Sequence, residues 1–283
     1  MSSNYESGYS SDESPKSPSN IVIRRDERRF SRNYEIIDLL KKSANGVIYE
    51  GRHIRSNTVV IIKQIPRGTV TEYINVKGRD ISSEIYYQFK AYEVSNTVIK
   101  PIDWFEKSSS FVLVTEKIEN SIDLFEFSKI YGAIAEDLAR EIFVQILEGA
   151  EKLQTAGIIH RDFKNENILI NPMTLEIKII DFGCATEFEE TYTSACGTMP
   201  YFPPEWFKYC EYKPEPLTVW SLGSILYILL TGEWDFESGN INRNFIKEHS
   251  LSKNCISLIN SILCPFPSKR ANFDSIFESK WLN

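Results

Sequence analysis

The 283-residue sequence has little of what marks a secreted, metal-clipped or membrane-spanning protein. Its five cysteines (Cys184, Cys196, Cys210, Cys255 and Cys264) are odd in number and include no C-x-x-C pair. A disulfide framework or a structural zinc site is therefore not expected, and reduced thiols in a cytoplasmic or nuclear compartment are. The first residues contain no apolar run of the kind a secretory leader needs. The longest apolar stretch, around residues 225–230, falls far short of the ~20 residues that span a bilayer, so it is read as a buried helix. Positive charge is also in deficit, with 32 Lys and Arg against 39 Asp and Glu and a formal net charge of −7. Nucleic acids and anionic membranes are polyanions, so neither is an expected partner. What remains is ordinary globular material, 42% hydrophobic and 25% charged, in a chain long enough for two lobes around a cleft.

Residues 1–20 are rich in Ser, Pro, Asn and Glu and almost lack large aliphatics, too few to offset the entropy of ordering. A basic patch follows at Arg24, Arg25, Arg28, Arg29 and Arg32. Residues 1–33 are together expected to be a disordered tail, with Ser31 placed behind Arg28-Arg29-Phe30 as a candidate autophosphorylation site. From Tyr34 the texture changes. Residues 34–40, 47–52, 58–65 and 111–116 are short, rich in β-branched and aromatic residues, and separated by turn-prone stretches. They predict an antiparallel sheet interrupted by one helix near residues 81–92. After residue 121, helical spacing dominates, as at Leu138, Ile142, Ile146, Leu147 and Leu153. The chain is thus expected to be α+β, with an N-terminal lobe and hinge over 34–120 and a mostly helical lobe over 121–283.

Four signals carry chemistry. His160-Arg161-Asp162-Phe163-Lys164-Asn165-Glu166-Asn167 matches H-R-D-x-x-x-x-N between two apolar runs. Asp181-Phe182-Gly183 ends a strand-like run shortly afterwards. Lys63 closes Val60-Ile61-Ile62-Lys63, and Glu84 sits on the following helix, with Glu93 as the competing helix carboxylate. Gly197-Thr198 precedes Pro203-Pro204-Glu205, where Glu205 needs a buried cation and Arg270 is the candidate. Each of the shorter signals alone has a bland reading as surface charge, but in this order they reinforce one another.

With these residues the chain resembles the eukaryotic protein kinases over residues 34–282. It is similar within them to the Pim serine/threonine kinases at Asp103-Trp104-Phe105-Glu106, Asp123-Leu124-Phe125-Glu126-Phe127 and residues 203–206. The resemblance implies a bilobal kinase fold with ATP and Mg²⁺ in the cleft. Lys63 is then the phosphate anchor and Glu84 its orienting partner. Asp162 accepts the proton of the attacking hydroxyl, and Lys164 stabilises charge. Asn167 and Asp181 hold the metal. Leu40, Gly46, Ile48, Ile61, Thr115, Glu116, Ile118 and Leu169 line the nucleotide pocket. Substrates are protein serines and threonines with basic residues upstream, met by Glu119, Asp123, Glu126, Glu166, Asp235 and Glu237. A monomer is expected.

Departures from the pattern qualify this. Lys41 and Ser43 stand where glycines are usual, so only Gly46 survives of the glycine loop. Ile61 replaces a small residue and is expected to crowd the adenine pocket. Thr218 replaces a bracing Asp that the Pim kinases also lack. Ile118 replaces a proline and so brings a hinge N–H that proline has not. Arg161 usually meets an anion in the segment after D-F-G, and Thr193, Ser194, Glu189 and Glu190 are the candidates to supply it. Cys184 and Cys196 flank the site and are read as packing thiols. The competing reading of the whole chain is a pseudokinase or scaffold with weak or no nucleotide binding.

Overall fold

The computed structural model describes residues 27–43, 45–232, 236–237, 240–241 and 251–283. The first lobe is built on a five-stranded antiparallel sheet in the order β1-β2-β3-β7-β6. Its strands are β1 (Tyr34–Ser43), β2 (Gly46–His53), β3 (Val59–Pro66), β6 (Pro101–Glu106) and β7 (Ser110–Glu116). β7 is buried from Ser110 to Val114 because the sheet is covered on both faces. Val112 and Val114 pack with Phe30, Tyr34, Val60, Ile62 and Phe105 on one side, while Phe111 and Leu113 join the main core on the other. Phe30 lies on α1 (Glu27–Asn33) and is 5% exposed. The last turns of the stretch expected to be disordered are therefore an ordered helix that caps the sheet, its anchor an aromatic residue in a basic patch.

Two strands absent from the sequence reading, β4 (Tyr73–Val76) and β5 (Arg79–Ser82), form a hairpin closed by Lys77 and Gly78. Both turn residues have positive φ, 50° and 79°, the tight primed turn that matches strand twist. The signal was present as Lys-Gly between two strand-forming runs. Because Ile81 and Ser82 complete β5, the expected helix begins two residues later, as α2 (Ser83–Val94).

The second lobe contains β8 (Ile122–Asp123), α3 (Leu124–Tyr131), α4 (Glu136–Thr155), β9 (Ile158–Ile159), β10 (Ile168–Ile170), β11 (Ile177–Ile179), β12 (Thr186–Glu187), α5 (Pro204–Tyr209), α6 (Pro214–Thr231), α7 (Lys253–Ile262) and α8 (Phe273–Phe277). α4 buries one face, through Ile142, Phe143, Ile146 and Leu147. α6 is buried on every side from Leu217 to Thr231, as its apolar sequence requires. The lobes are tied at the back. Ile179 donates its N–H to Thr97 O at 2.7 Å, and Ile99 N–H returns a bond to Ile179 O at 3.0 Å. No helix among the described residues is long and apolar enough to cross a membrane.

Candidate active site

The cleft is lined from both lobes. From the sheet, β3 places Lys63 opposite Leu113 of β7 and Ile48 of β2. Its ammonium lies 2.6 Å from Glu84 Oε1 on α2 and 3.0 Å from Asp181 Oδ1. Glu84 is in the buried first turn of α2, whereas Glu93 is exposed near its last. Burial alone would favour the neutral amine of Lys63. The two carboxylates outweigh it and hold its pKa above the ordinary lysine value. Asp181, opposed by its own burial, is lowered chiefly by the Lys63 charge and by hydrogen bonds from Lys63 and the Gly183 N–H. Its φ of 65° turns the carboxylate out of β11's line into the cleft, where the side chain keeps 38% of its exposure.

The second cluster is in the loop after β9. Asp162 Oδ2 lies 2.9 Å from Lys164 Nζ, and Lys164 donates to Thr198 Oγ1 at 2.6 Å. Thr198 in turn donates to Asp162 Oδ1 at 2.8 Å. Asn167 spends its amide hydrogens on Asp162, reaching the carbonyl at 2.8 Å and Oδ2 at 2.9 Å, which leaves its Oδ1 to accept or ligate. The two clusters are joined through main chain. Ile180 N–H donates to Asn167 O at 2.9 Å, and His160 Nε2 lies 3.2 Å from Ile180 O. His160 Nδ1 accepts from the Asp162 N–H, which fixes the neutral Nε2–H form. Burial lowers its pKa in keeping with that form.

The pocket residues fall on matching elements. Ile61 is opposite Thr115, Val60 opposite Glu116, and Lys41 opposite Ile48. Leu40 is half exposed on β1, and Leu169 on β10 faces from the other lobe. Beyond β7, Ile118 has its carbonyl taken by Ser121 Oγ at 2.9 Å, and Lys117 pairs with Glu50 across the strand ends. At the eroded glycine loop Lys41 and Ser43 pair with Ile48 and Gly46 beyond a register shift between Leu39 and Lys41, because L-residues there favour extended backbone. Gly46 is needed for two reasons. Its φ is 148°, and a Cβ would lie 2.5 Å from Gln64 O.

Arg161 is engaged, but not by an acid. It donates to Cys184 O at 2.7 Å and lies over the Tyr192 ring at 5.3 Å, whose stacking partner Tyr212 donates its hydroxyl to Ser194 O at 3.1 Å. Among the described residues neither Glu189 nor Glu190 comes within ion-pair distance of it, which corrects that expectation. Tyr192 and Tyr212 were missed because their pairing depends on a bridge between segments twenty residues apart. Glu205 and Arg270 form a bidentate pair, both contacts 2.7 Å, and the guanidinium also lies over Trp220. Of the acids assigned to a peptide groove, Glu166 accepts from Tyr201 at 3.1 Å, Asp123 caps α3, and Glu119 and Glu126 are exposed. Asp235 lies outside the described residues, as does the side chain of Glu237.

This pairing of a strand lysine with a helix carboxylate, above an Asp-Lys-Asn loop, has a clear counterpart among known proteins. The protein kinase domain family matches residues 34–282. The chain belongs to the protein kinase family. It is 35% identical to the serine/threonine-protein kinase pim-2 of Danio rerio, over 93% of this chain and 88% of that protein. It is 33% identical to the serine/threonine-protein kinase prk-2 of Caenorhabditis elegans, over 90% of this chain and 59% of that one. The serine/threonine-protein kinase PSK2 of Saccharomyces cerevisiae is 30% identical over 93% of this chain and 25% of its own length. The chain is accordingly an ATP-dependent serine/threonine kinase.

Proposed function

We propose that this kinase transfers the γ-phosphoryl of Mg-ATP to serines and threonines that follow Arg or Lys residues in protein substrates. The observation that carries the reaction is the meeting of Lys63, Glu84 and Asp181, tied through the Ile180–Asn167 main-chain bond to the loop that holds the Asp162–Lys164–Thr198 cluster. Asp162 takes the proton of the acceptor hydroxyl, and Lys164 offsets charge on the transferring group. Lys63, steered by Glu84, holds the nucleotide phosphates. The oxygen donors Asp181 and Asn167 Oδ1 fit a hard cation, and Mg²⁺ there would neutralise phosphate charge. Leu40, Ile48 and Ile61 from one lobe and Leu169 from the other would hold the purine, with Thr115 lining the back and the main chain of Glu116 and Ile118 offering it hydrogen bonds.

The preference for basic peptides rests on Glu126 and Glu166, whose elements pack together beside Asp162. A carboxylate–guanidinium hydrogen bond is worth ~1.5 kcal/mol or more. A peptide array scanning Arg through the upstream positions tests this, with Asp162→Asn as blank. Glu126→Ala and Glu166→Gln are each expected to lower kcat/KM for Arg peptides about tenfold and to spare Arg-free peptides. Equal rates on both peptide sets in the parent enzyme would refute the preference. The scaffold reading predicts neither transfer nor a Mg²⁺-dependent ATP shift in melting temperature.

A further inference from the structure

α2 carries a side chain that packing alone does not explain. Its buried face includes Ile85, Phe89 and Ala91, and between them lies Gln88, only 2% exposed. A buried amide is costly unless it is bonded. Gln88 Nε2 donates to Ile99 O at 2.8 Å. A carbonyl can only accept, so the side chain must present its NH2 group there. Gln88 follows Glu84 by four residues, about one helical turn, so the two project from the same side of α2.

Ile99 extends the reach of this bond. Its N–H donates to Ile179 O at 3.0 Å, and Ile179 N–H donates to Thr97 O at 2.7 Å. One residue is thus joined to β11 through its N–H and to α2 through its carbonyl. Ile179 ends β11, and Asp181 stands two residues on. Asp181 Oδ1 and Glu84 Oε1 share the Lys63 ammonium at 3.0 Å and 2.6 Å. α2 and the end of β11 are therefore linked twice, by charge at Lys63 and, a turn away, by the run from Gln88 through Ile99 to Ile179.

We propose that Gln88 is a positioning residue for phosphoryl transfer, a hydrogen-bonded strut that holds α2 at the height where Glu84 meets Lys63 beside Asp181.

The hydrophobic effect is non-directional, so Ile85 and Phe89 resist a small slide or roll of α2 only weakly. The Gln88 bond has a direction and a length. A shift of α2 leaves a buried amide and a buried carbonyl unbonded together. With that register held, Glu84 stays on Lys63, and Lys63 stays on the same side of the cleft as Asp181. Misplacing reacting groups by ~1 Å costs on the order of a hundredfold in rate. The inference rests on the reading that Glu84 steers Lys63 toward the nucleotide phosphates.

The test compares steady-state transfer to an Arg-rich peptide by the parent, Gln88→Met, Glu84→Gln and the double variant. Methionine keeps the length and the apolar stem of glutamine and has no donor. Gln88→Met is expected to lower kcat about tenfold, a displacement of less than an ångström, and to leave the peptide KM within about twofold. In the Glu84→Gln background the same change should cost less than about threefold, because the carboxylate it positions is gone. Gln88→Glu is a second check. Its carboxyl donates to Ile99 O only when protonated, so its kcat relative to the parent should climb as pH falls from about 8.5 to 6.5. The proposal is overturned if Gln88→Met keeps kcat within about twofold, if its loss is as large in the Glu84→Gln background as in the parent, or if Gln88→Glu lags the parent by one factor at every pH. Glu84→Gln at the parental rate would overturn the reading of the site and this inference with it. A slow Glu84→Gln beside an unimpaired Gln88→Met would overturn this inference alone. Should Gln88→Met not fold, the Gln88→Glu profile decides.

Discussion

Arg161 and Asp181 both hold left-handed backbone, φ 61° and 65°, a conformation that costs a non-glycine residue ~1 kcal/mol or more. Arg161 is held there by neutral groups, the Cys184 carbonyl and the Tyr192 ring, so its charge is met without a phosphate. The Thr193→Ala/Ser194→Ala enzyme should keep activity within about twofold, and a tenfold loss would restore the phosphate idea. At the hinge, Ile118→Pro removes one N–H. The expected result is an ATP KM raised about fivefold with kcat retained, matching ~1 kcal/mol for a hydrogen bond. His160 gives a pH test. Its folded pKa is lowered, so below the ordinary value near 6.5 the unfolded chain takes a proton that the folded one refuses. Stability is full above that value and falls as pH drops. Urea midpoints between pH 7.5 and 5.5 should decline, and the slope should flatten in His160→Gln. The catalytic-loop residues could be read from sequence because their spacing is local and their chemistry obligatory. The pairing of Tyr192 with Tyr212 could not, since neither neighbours the other until the segment between them folds back.

Among elements, the readable ones were those whose periodicity is set by burial on one face, such as α4 and β3. The β4–β5 hairpin escaped because its period-2 pattern spans only four residues a strand. It matters for the site. Val76 and Ile81 are fully buried, and Ser83 N–H at the start of α2 bonds to Glu72 O at 3.1 Å, so the hairpin braces the helix that carries Glu84. α1 escaped because basic composition argued for solvent while a single phenylalanine decided otherwise. Phe30→Ala should destabilise the enzyme by about 3 kcal/mol, the lower end for a buried phenylalanine, as read by chemical denaturation. No loss would mean that α1 contributes nothing to the sheet it covers.

For the molecule as a whole, the Glu205–Arg270 pair fastens the segment after Thr198 to the far end of the second lobe. With side chains 5% and 0% exposed, removing one partner strands a buried charge. Arg270→Met should cost about 3–5 kcal/mol, and adding Glu205→Gln should recover part of it. The bilobal plan was legible in the change from strand to helix texture, but the seam between the lobes was not, because it consists of main-chain bonds that no side chain announces. That seam at Thr97, Ile99 and Ile179 holds the two lobes together along one edge. An opening of the cleft that keeps these bonds would part the lobes at the β1–β2 edge rather than at the rear. If nucleotide leaves past that edge, substitutions that loosen the Lys41–Ile48 and Ser43–Gly46 pairing are expected to speed ADP release, as read by product-release kinetics.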